Sequence, residues 1–338
     1  MDSYREECDL LADKAITVAV MKLGKDILNS RNLFANIKQL SKDGVQECMS
    51  YLEVFEKEPP WTVDWEAIEA GRRFFVRNAI MGGLVLMYGS LVSSFAAAKG
   101  NKVLMATSRL TGYGDVRQRV FETLAFVKVV MLKDKEAIKK VCCRVRLLHA
   151  AVRYYITHSM DNWDYNECGH PVSQEDMAGT LSTFSSSVIH GLDWLGITGS
   201  KEECDGYQHL WKYVGYHLGI CNTLLCDTYQ DEWQLALLIK DRHFYPDEDS
   251  KTLTESLLQE FANKMPFHFS YSFSSDLSRY MIGNKLADEL RLQKMTVLGS
   301  IGIRLLCWLN KSLAFIQYYF QPLERGMYRF GSYALDGL

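Results

Sequence analysis

The 338-residue sequence is short of proline, with six in all, and carries no surplus of positive charge. Thirty-eight lysines and arginines face 41 aspartates and glutamates, a formal net charge of −3. That balance leaves no electrostatic footprint for nucleic acid, so no nucleic-acid partner is expected. Phosphate loops, dinucleotide fingerprints and nucleophile elbows are missing, which removes the common nucleotide-binding and serine-hydrolase classes. Sustained apolar–polar alternation is missing too, and no period repeats, which argues against sheets and solenoids. The nine cysteines are odd in number and show no paired Cys-x-x-Cys spacing, so neither a disulfide framework nor a structural zinc site is expected. Met1 to Leu11 is acidic and lacks a basic segment leading into an apolar run, so no secretion signal is expected there. The expected location is intracellular, in the cytoplasm, with association to the endoplasmic reticulum membrane as the alternative.

What the sequence has is apolar content, 48% of residues, laid out at helical spacing. Ile16, Val20, Leu23 and Ile27 mark a first amphipathic helix. Leu33, Phe34, Ile37 and Leu40 mark a second, and Val45, Met49, Leu52 and Phe55 a third. Pro59-Pro60 then separates an N-terminal helical cap, residues 1–60, from a main domain, 61–338, on which the cap packs. Asp64 is the expected N-cap of the next helix. Ile80 to Ala98 is uncharged for 19 residues, close to a bilayer span, but Gly82, Gly83 and Gly89 dilute it and a buried core helix is predicted. Ser173 with Asp176, and Ser200 with Glu203, read as capping boxes. The first starts a helix through Leu181, Phe184, Val188 and Leu192 to about Gly196. Met295 to Phe320, interrupted by Arg304 and Lys311, reads as a soluble helix ending before Pro322. The predicted fold is all-α.

One stretch, Asp115 to Tyr155, stands apart because polar residues occupy its apolar faces. Asp115 and Gln118 form a plausible capping box after the turn Gly112-Tyr113-Gly114, and Val116, Val120, Leu124, Val127 and Met131 follow at helical spacing. Arg119 and Thr123 share one face of that helix. The next stripe reads Ile138, Val141, Val145, His149, Val152, Ile156, with Arg153 one turn beyond the histidine. Such an imidazole can ligate haem iron, and the guanidinium can pair with a propionate. Equally, His149 can be a core histidine bonded to a carbonyl, with Arg153 reaching to the surface.

Other groupings carry less. Glu167 and His170 are a lone Glu-x-x-His, whereas a di-iron bundle needs two such pairs and two more carboxylates. Asp161, Asp164, Asn166 and Glu167 lack calcium-loop spacing and read as a solvated loop ending at Pro171. Asn310-Lys311-Ser312 is a glycosylation sequon placed inside a predicted helix. His190 and His217, on apolar faces, are second-rank ligand candidates.

The run Asp64-Trp65-Glu66-Ala67-Ile68-Glu69-Ala70-Gly71-Arg72-Arg73-Phe74-Phe75 resembles the entry helix of the MpaB and rubber oxygenase family. Thr107-Ser108-Arg109-Leu110 with Arg119-Val120-Phe121-Glu122-Thr123 resembles that family's arginine and threonine segment. His149-Ala150-Ala151-Val152-Arg153 resembles the segment bearing its proximal haem ligand, and the likeness continues to the Trp211–Gly219 region. The resemblance implies a globin-like helical core with extra N- and C-terminal helices, binding haem b and cleaving isoprenoid double bonds with O2. By position it implies His149 as the iron ligand and Arg119, Thr123 and Arg153 as the polar residues around the haem. Glu122 and Thr123 are the catalytic candidates, Glu122 as a proton-transfer group or as a residue that leaves the iron open to oxygen. Glu122 stands where rubber oxygenase has a lysine, and Lys102 and Val103 occupy the region of that enzyme's proposed glutamate base. The expected substrate is a small apolar, prenyl-like molecule; membrane association is compatible but not required. Two alternatives stay open, a haem carrier or sensor without turnover and a cofactor-free helical interaction protein.

Overall fold

The apolar residues marked at helical spacing fall in helices or at their caps, except that Gly24, at a φ of +85°, ends the first at Leu23 and leaves Ile27 in a 3-10 turn, Lys25–Asn29. No strand appears among the described residues, and one isolated antiparallel bridge joins Ala97 and Phe244. The computed structural model describes residues 1–29, 32–111, 116–160, 163–319 and 321–337. The predicted turn at Gly112–Gly114, its cap Asp115, and Asp161 of the polar loop lie outside the described residues. The chain is all-α, as the spacing predicts.

The spine is the Lys135–Ser159 helix, capped by Asp134, whose carboxylate accepts from the Ala137 amide. Ile138 and Cys142 on one face join the main core. Cys143, Leu147, Ala150 and Ala151 on another close a second core with the Leu10–Leu23, Leu33–Lys42 and Gln46–Glu56 helices. Residues before Pro59 thus have a core of their own, built against the back of the helix that carries His149. Ion pairs fasten the extreme N-terminus: Asp2, Arg5, Asp9 and Asp13 meet Arg242, Asp176, Arg146 and Arg153 in turn.

Two glycines set the close crossing of the Trp65–Arg77 and Lys201–His217 helices. A Cβ on Gly71 of the Trp65–Arg77 helix would lie 2.0 Å from the Tyr207 nitrogen, and one on Gly206 of the Lys201–His217 helix 1.9 Å from the Ala67 oxygen. Only hydrogen fits at either position. The next residue, Arg72, is buried and donates Nη2 to the Val130 and Lys133 carbonyls at 2.9 and 3.0 Å, satisfying the C-terminal end of the Val116–Leu132 helix. The family-like entry helix is therefore what seats the Arg119 helix. Asp64 caps that entry helix by accepting from Glu66 and Ala67, and both predicted capping boxes, at Ser173 and Ser200, are formed.

Ala79–Ser94 is one run of helix whose middle, Val85–Leu91, is wound as a π-helix, and it bends 82° from Trp65–Arg77. π-turns open the backbone and tend to occur beside functional sites. By length and composition this bent pair passes a membrane-span test, and no single helix among the described residues does. Leu84, Val85, Met87, Tyr88 and Val92 are buried, which is the core-helix packing predicted for this run.

Three further expectations change. The helix after Ser173 breaks at Ser185 into Gln174–Phe184 and Ser186–Trp194: the Ser185 backbone leaves the helical region, at φ −104° and ψ −101°, and its hydroxyl donates to Glu232 at 2.8 Å. Part of the polar loop before Pro171 is a helical turn, Tyr165–Cys168, capped by Asp164. Pro322 does not end the helical structure: a further helix, Gln321–Asp336, starts there, with the proline in its first turn where no amide hydrogen is needed.

Candidate functional site

Between these helices lies a cavity of about 1750 Å³. That exceeds the roughly 300–1,000 Å³ of ordinary ligand clefts. The π-wound helix gives it Leu84, Met87 and Leu91, and the Val116–Leu132 helix gives Val120, Leu124, Phe126 and Val127. The spine gives Val145, Leu148, His149 and Val152, and the Gln174–Phe184 helix gives Met177, Leu181 and Phe184. Gly191 presses against Val85, where a Cβ would come within 2.3 Å.

His149 sits deep in this wall, its exposed area turned to the cavity. It makes no hydrogen bond among the described residues; Nδ1 is buried without a partner, leaving Nε2 as the ring nitrogen with open access. Burial, reinforced by the Arg153 charge, pushes its pKa down to about 4. The ring is therefore neutral at physiological pH, the form that coordinates metals. The simple core-histidine alternative needs a carbonyl partner, and the structure gives it none.

The remaining candidates separate. Arg119 lines the cavity, with Nη2 3.2 Å from Thr107 Oγ1 and 3.3 Å from the Leu104 carbonyl. Burial lowers its pKa. Glu122 and Thr123 both line the cavity; Glu122 accepts from Gln118 at 2.8 Å, and the Thr123 hydroxyl donates to the Arg119 carbonyl at 2.8 Å. Arg153 is placed otherwise than expected. It lines no part of the cavity and does not reach the surface: Nε binds Asp13 at 2.7 Å, Nη1 binds the Val172 carbonyl at 3.2 Å, and Nη2 is buried without a partner. The physical reason is Asp13, 140 residues away in sequence, which holds the guanidinium behind His149. Lys102 pairs with Asp247 and Asp249, while Val103 is on the cavity wall.

His190 and His217 are off the cavity. His190 stacks on Trp233 at 4.0 Å, and His217 is enclosed by Phe55, Tyr213 and Tyr216 with both nitrogens unpartnered. Burial pushes the His217 pKa down to about 4. An unfolded histidine protonates near 6.5, so between pH 6.5 and 4 the unfolded chain gains a proton that the folded one refuses. Stability held above pH 6.5 is lost as pH falls through that window. His217→Phe removes this loss, so its advantage over the parent should grow from pH 6.5 to 4, reaching about 3 kcal/mol. Urea melts at four pH values measure the difference; a constant difference would contradict it.

Sequence reasoning missed three polar groups on the cavity wall. Arg144 is exposed there, over the Phe34 ring at 5.7 Å and without an ion pair among the described residues. Glu175 and His243 face each other at 3.0 Å, and Arg242 holds Glu175 at 2.8 Å. Arg144 stood in the helix sequence as one charge among several, and the Glu175–His243 pair joins residues 68 apart, so no local signal revealed either.

Among the described residues no three His, Cys, Asp or Glu side chains converge to hold a bare metal ion. A single free imidazole in an apolar chamber suits a porphyrin, which brings four of its own nitrogens to the iron. The buried sequon is settled as well: Asn310 is buried, donating Nδ2 to the Leu195 carbonyl at 2.9 Å.

No curated protein matches the sequence. The solved structure of latex clearing protein in its closed state is similar, with a TM-score of 0.69 over 85% of this chain and 79% of that one, at 19% identity. That likeness is one of fold. The sequence model of the catalytic domain of ER-bound oxygenase MpaB/B′ and rubber oxygenase matches residues 72–310, reaching well past Gly219, where the motif resemblance ends. With more than half of its length so matched, and an all-α fold like that of latex clearing protein, the chain belongs to the MpaB/rubber oxygenase catalytic-domain family.

Proposed function

We propose that the protein is a haem b-dependent oxygenase that cleaves a double bond in a small apolar, prenyl-like substrate. The observation that carries the reading is His149, a neutral, unpartnered imidazole on the wall of a large apolar cavity. His149 would hold the iron. Arg119 and Arg144, the arginines on the cavity wall, would pair with the carboxylates of the group. Arg153 takes a supporting role, its positive charge adding to the burial that keeps His149 unprotonated. Bound haem would supply oxygen activation; the chain would supply His149 to hold the iron, an apolar chamber and orientation.

Leu84, Met87, Leu124, Phe126 and Phe184 offer a hydrocarbon chain contacts without polar competition. Glu122 is the carboxylate proposed to move a proton at the substrate, since it lines the cavity and accepts there from the neutral Gln118 amide. Ferrous protein given oxygen and a farnesyl-type compound is expected to release carbonyl fragments, and Glu122→Gln to slow that release at unchanged haem content. Stable oxygen binding with no carbonyl from prenyl, carotenoid or fatty substrates would replace the enzyme reading with a carrier or sensor.

A further inference from the structure

The Val297–Tyr319 helix leaves an apolar face in solvent. Val297, Leu298, Ile301, Leu305, Trp308 and Leu309 are 77, 82, 58, 53, 62 and 44% exposed. At 100° per residue they fall in a sector roughly 120° wide. The opposite face is fixed to the body: Ile303 and Asn310 are buried, and Gly299 lies against the Asp276 carboxylate with no room for a Cβ. The exposed sector is therefore a finished surface rather than a loose helix. The helix has no acidic residue, and its cations, Arg304 and Lys311, lie together along one edge of the sector, exposed and without an ion pair among the described residues.

We propose that this face docks flat on an anionic lipid bilayer, with Arg304 and Lys311 meeting headgroup phosphates and Trp308 seated at the interface. An apolar sector edged by basic residues is the composition of helices that lie in a membrane surface. A second copy of the chain fits less well: across a two-fold contact it would set these cations against their own copies, with no acid on the face to meet them. The cavity adds a second argument. Trp194 and Tyr333 are 46 and 79% exposed while also lining the cavity, so they stand at an opening. The Trp194 carbonyl lies 3.5 Å from the Cys307 thiol of this helix, and Leu306 of the same helix lines the cavity. A lipid-dissolved substrate would enter from the surface on which the protein sits.

Flotation of the full chain with phosphatidylcholine vesicles, with and without phosphatidylserine, tests this without reference to the cofactor. Binding is expected to favour the serine-containing vesicles by roughly thirtyfold, the preference that two headgroup-paired cations give. Leu305→Glu with Trp308→Glu should reduce binding more than tenfold at unchanged circular dichroism, and Arg304→Glu with Lys311→Glu should abolish the preference. If the first pair melts early, Leu305→Ser with Trp308→Ser replaces it. No binding to either vesicle, or equal binding by the Leu305/Trp308 variant, overturns the proposal. So does a parent dimer that this variant turns into a monomer, which would assign the face to a second copy.

Discussion

His149→Ala is expected to purify folded and nearly free of haem. Loss of a residue that merely supports a metal ligand costs 10–100-fold in affinity, so loss of the proposed iron ligand should cost more than about a hundredfold. The fold should survive, because His149 makes no hydrogen bond among the described residues and its removal strands no partner. Added imidazole should restore binding in the variant, since the vacated space opens on the cavity. Haem titration with and without imidazole, beside far-ultraviolet circular dichroism, measures both parts. Unchanged haem affinity in His149→Ala would move the ligand elsewhere, with His243 the other histidine on the cavity wall.

Arg146→Met should cost about 3–5 kcal/mol of stability, the range for stripping one partner from a buried ion pair. Arg146 and Asp9 are 7 and 8% exposed in their side chains, and Nη2 meets Oδ1 at 2.8 Å. Gly219, at a φ of +87°, leaves the space they occupy: a Cβ there would stand 2.6 Å from both Arg146 Nε and Asp9 Oδ2. Methionine leaves the Asp9 carboxylate buried without its counter-charge, with the Ala12 amide at 3.3 Å as its remaining hydrogen-bond partner. Replacing both partners, Asp9→Leu with Arg146→Met, should recover much of the loss, because no lone charge remains. Urea unfolding of the three variants gives the comparison. A loss below about 1 kcal/mol in Arg146→Met would mean the pair behaves as a surface contact.

The long-range ion pairs of the N-terminus, Asp9 with Arg146 and Asp13 with Arg153, mark what the sequence could and could not disclose. Helices, their caps and their buried faces follow from residues three or four apart, so the all-α fold, the caps at Asp64, Ser173 and Ser200, and the place of His149 on a core-facing stripe were legible. Arg153 was not, because its partner Asp13 comes from the N-terminal cap, and one turn from a histidine is also where a cofactor contact belongs. The π-wound turn at Val85–Leu91 gives no periodic signal distinct from a helix. Pro322 read as a stop because position within a turn, not residue type, decides whether proline is tolerated. Arg304 and Lys311 marked a soluble helix by their presence, and only the fold reveals that they edge an uncovered apolar face.

The visible absorption spectrum of the purified full chain, titrated with haem b, tests the central claim most directly. The account predicts a Soret band that saturates at one haem per chain in the parent, with the band of a histidine-ligated iron, and its collapse in His149→Ala. A parent protein that takes up no haem, or takes it up equally well without His149, would contradict it.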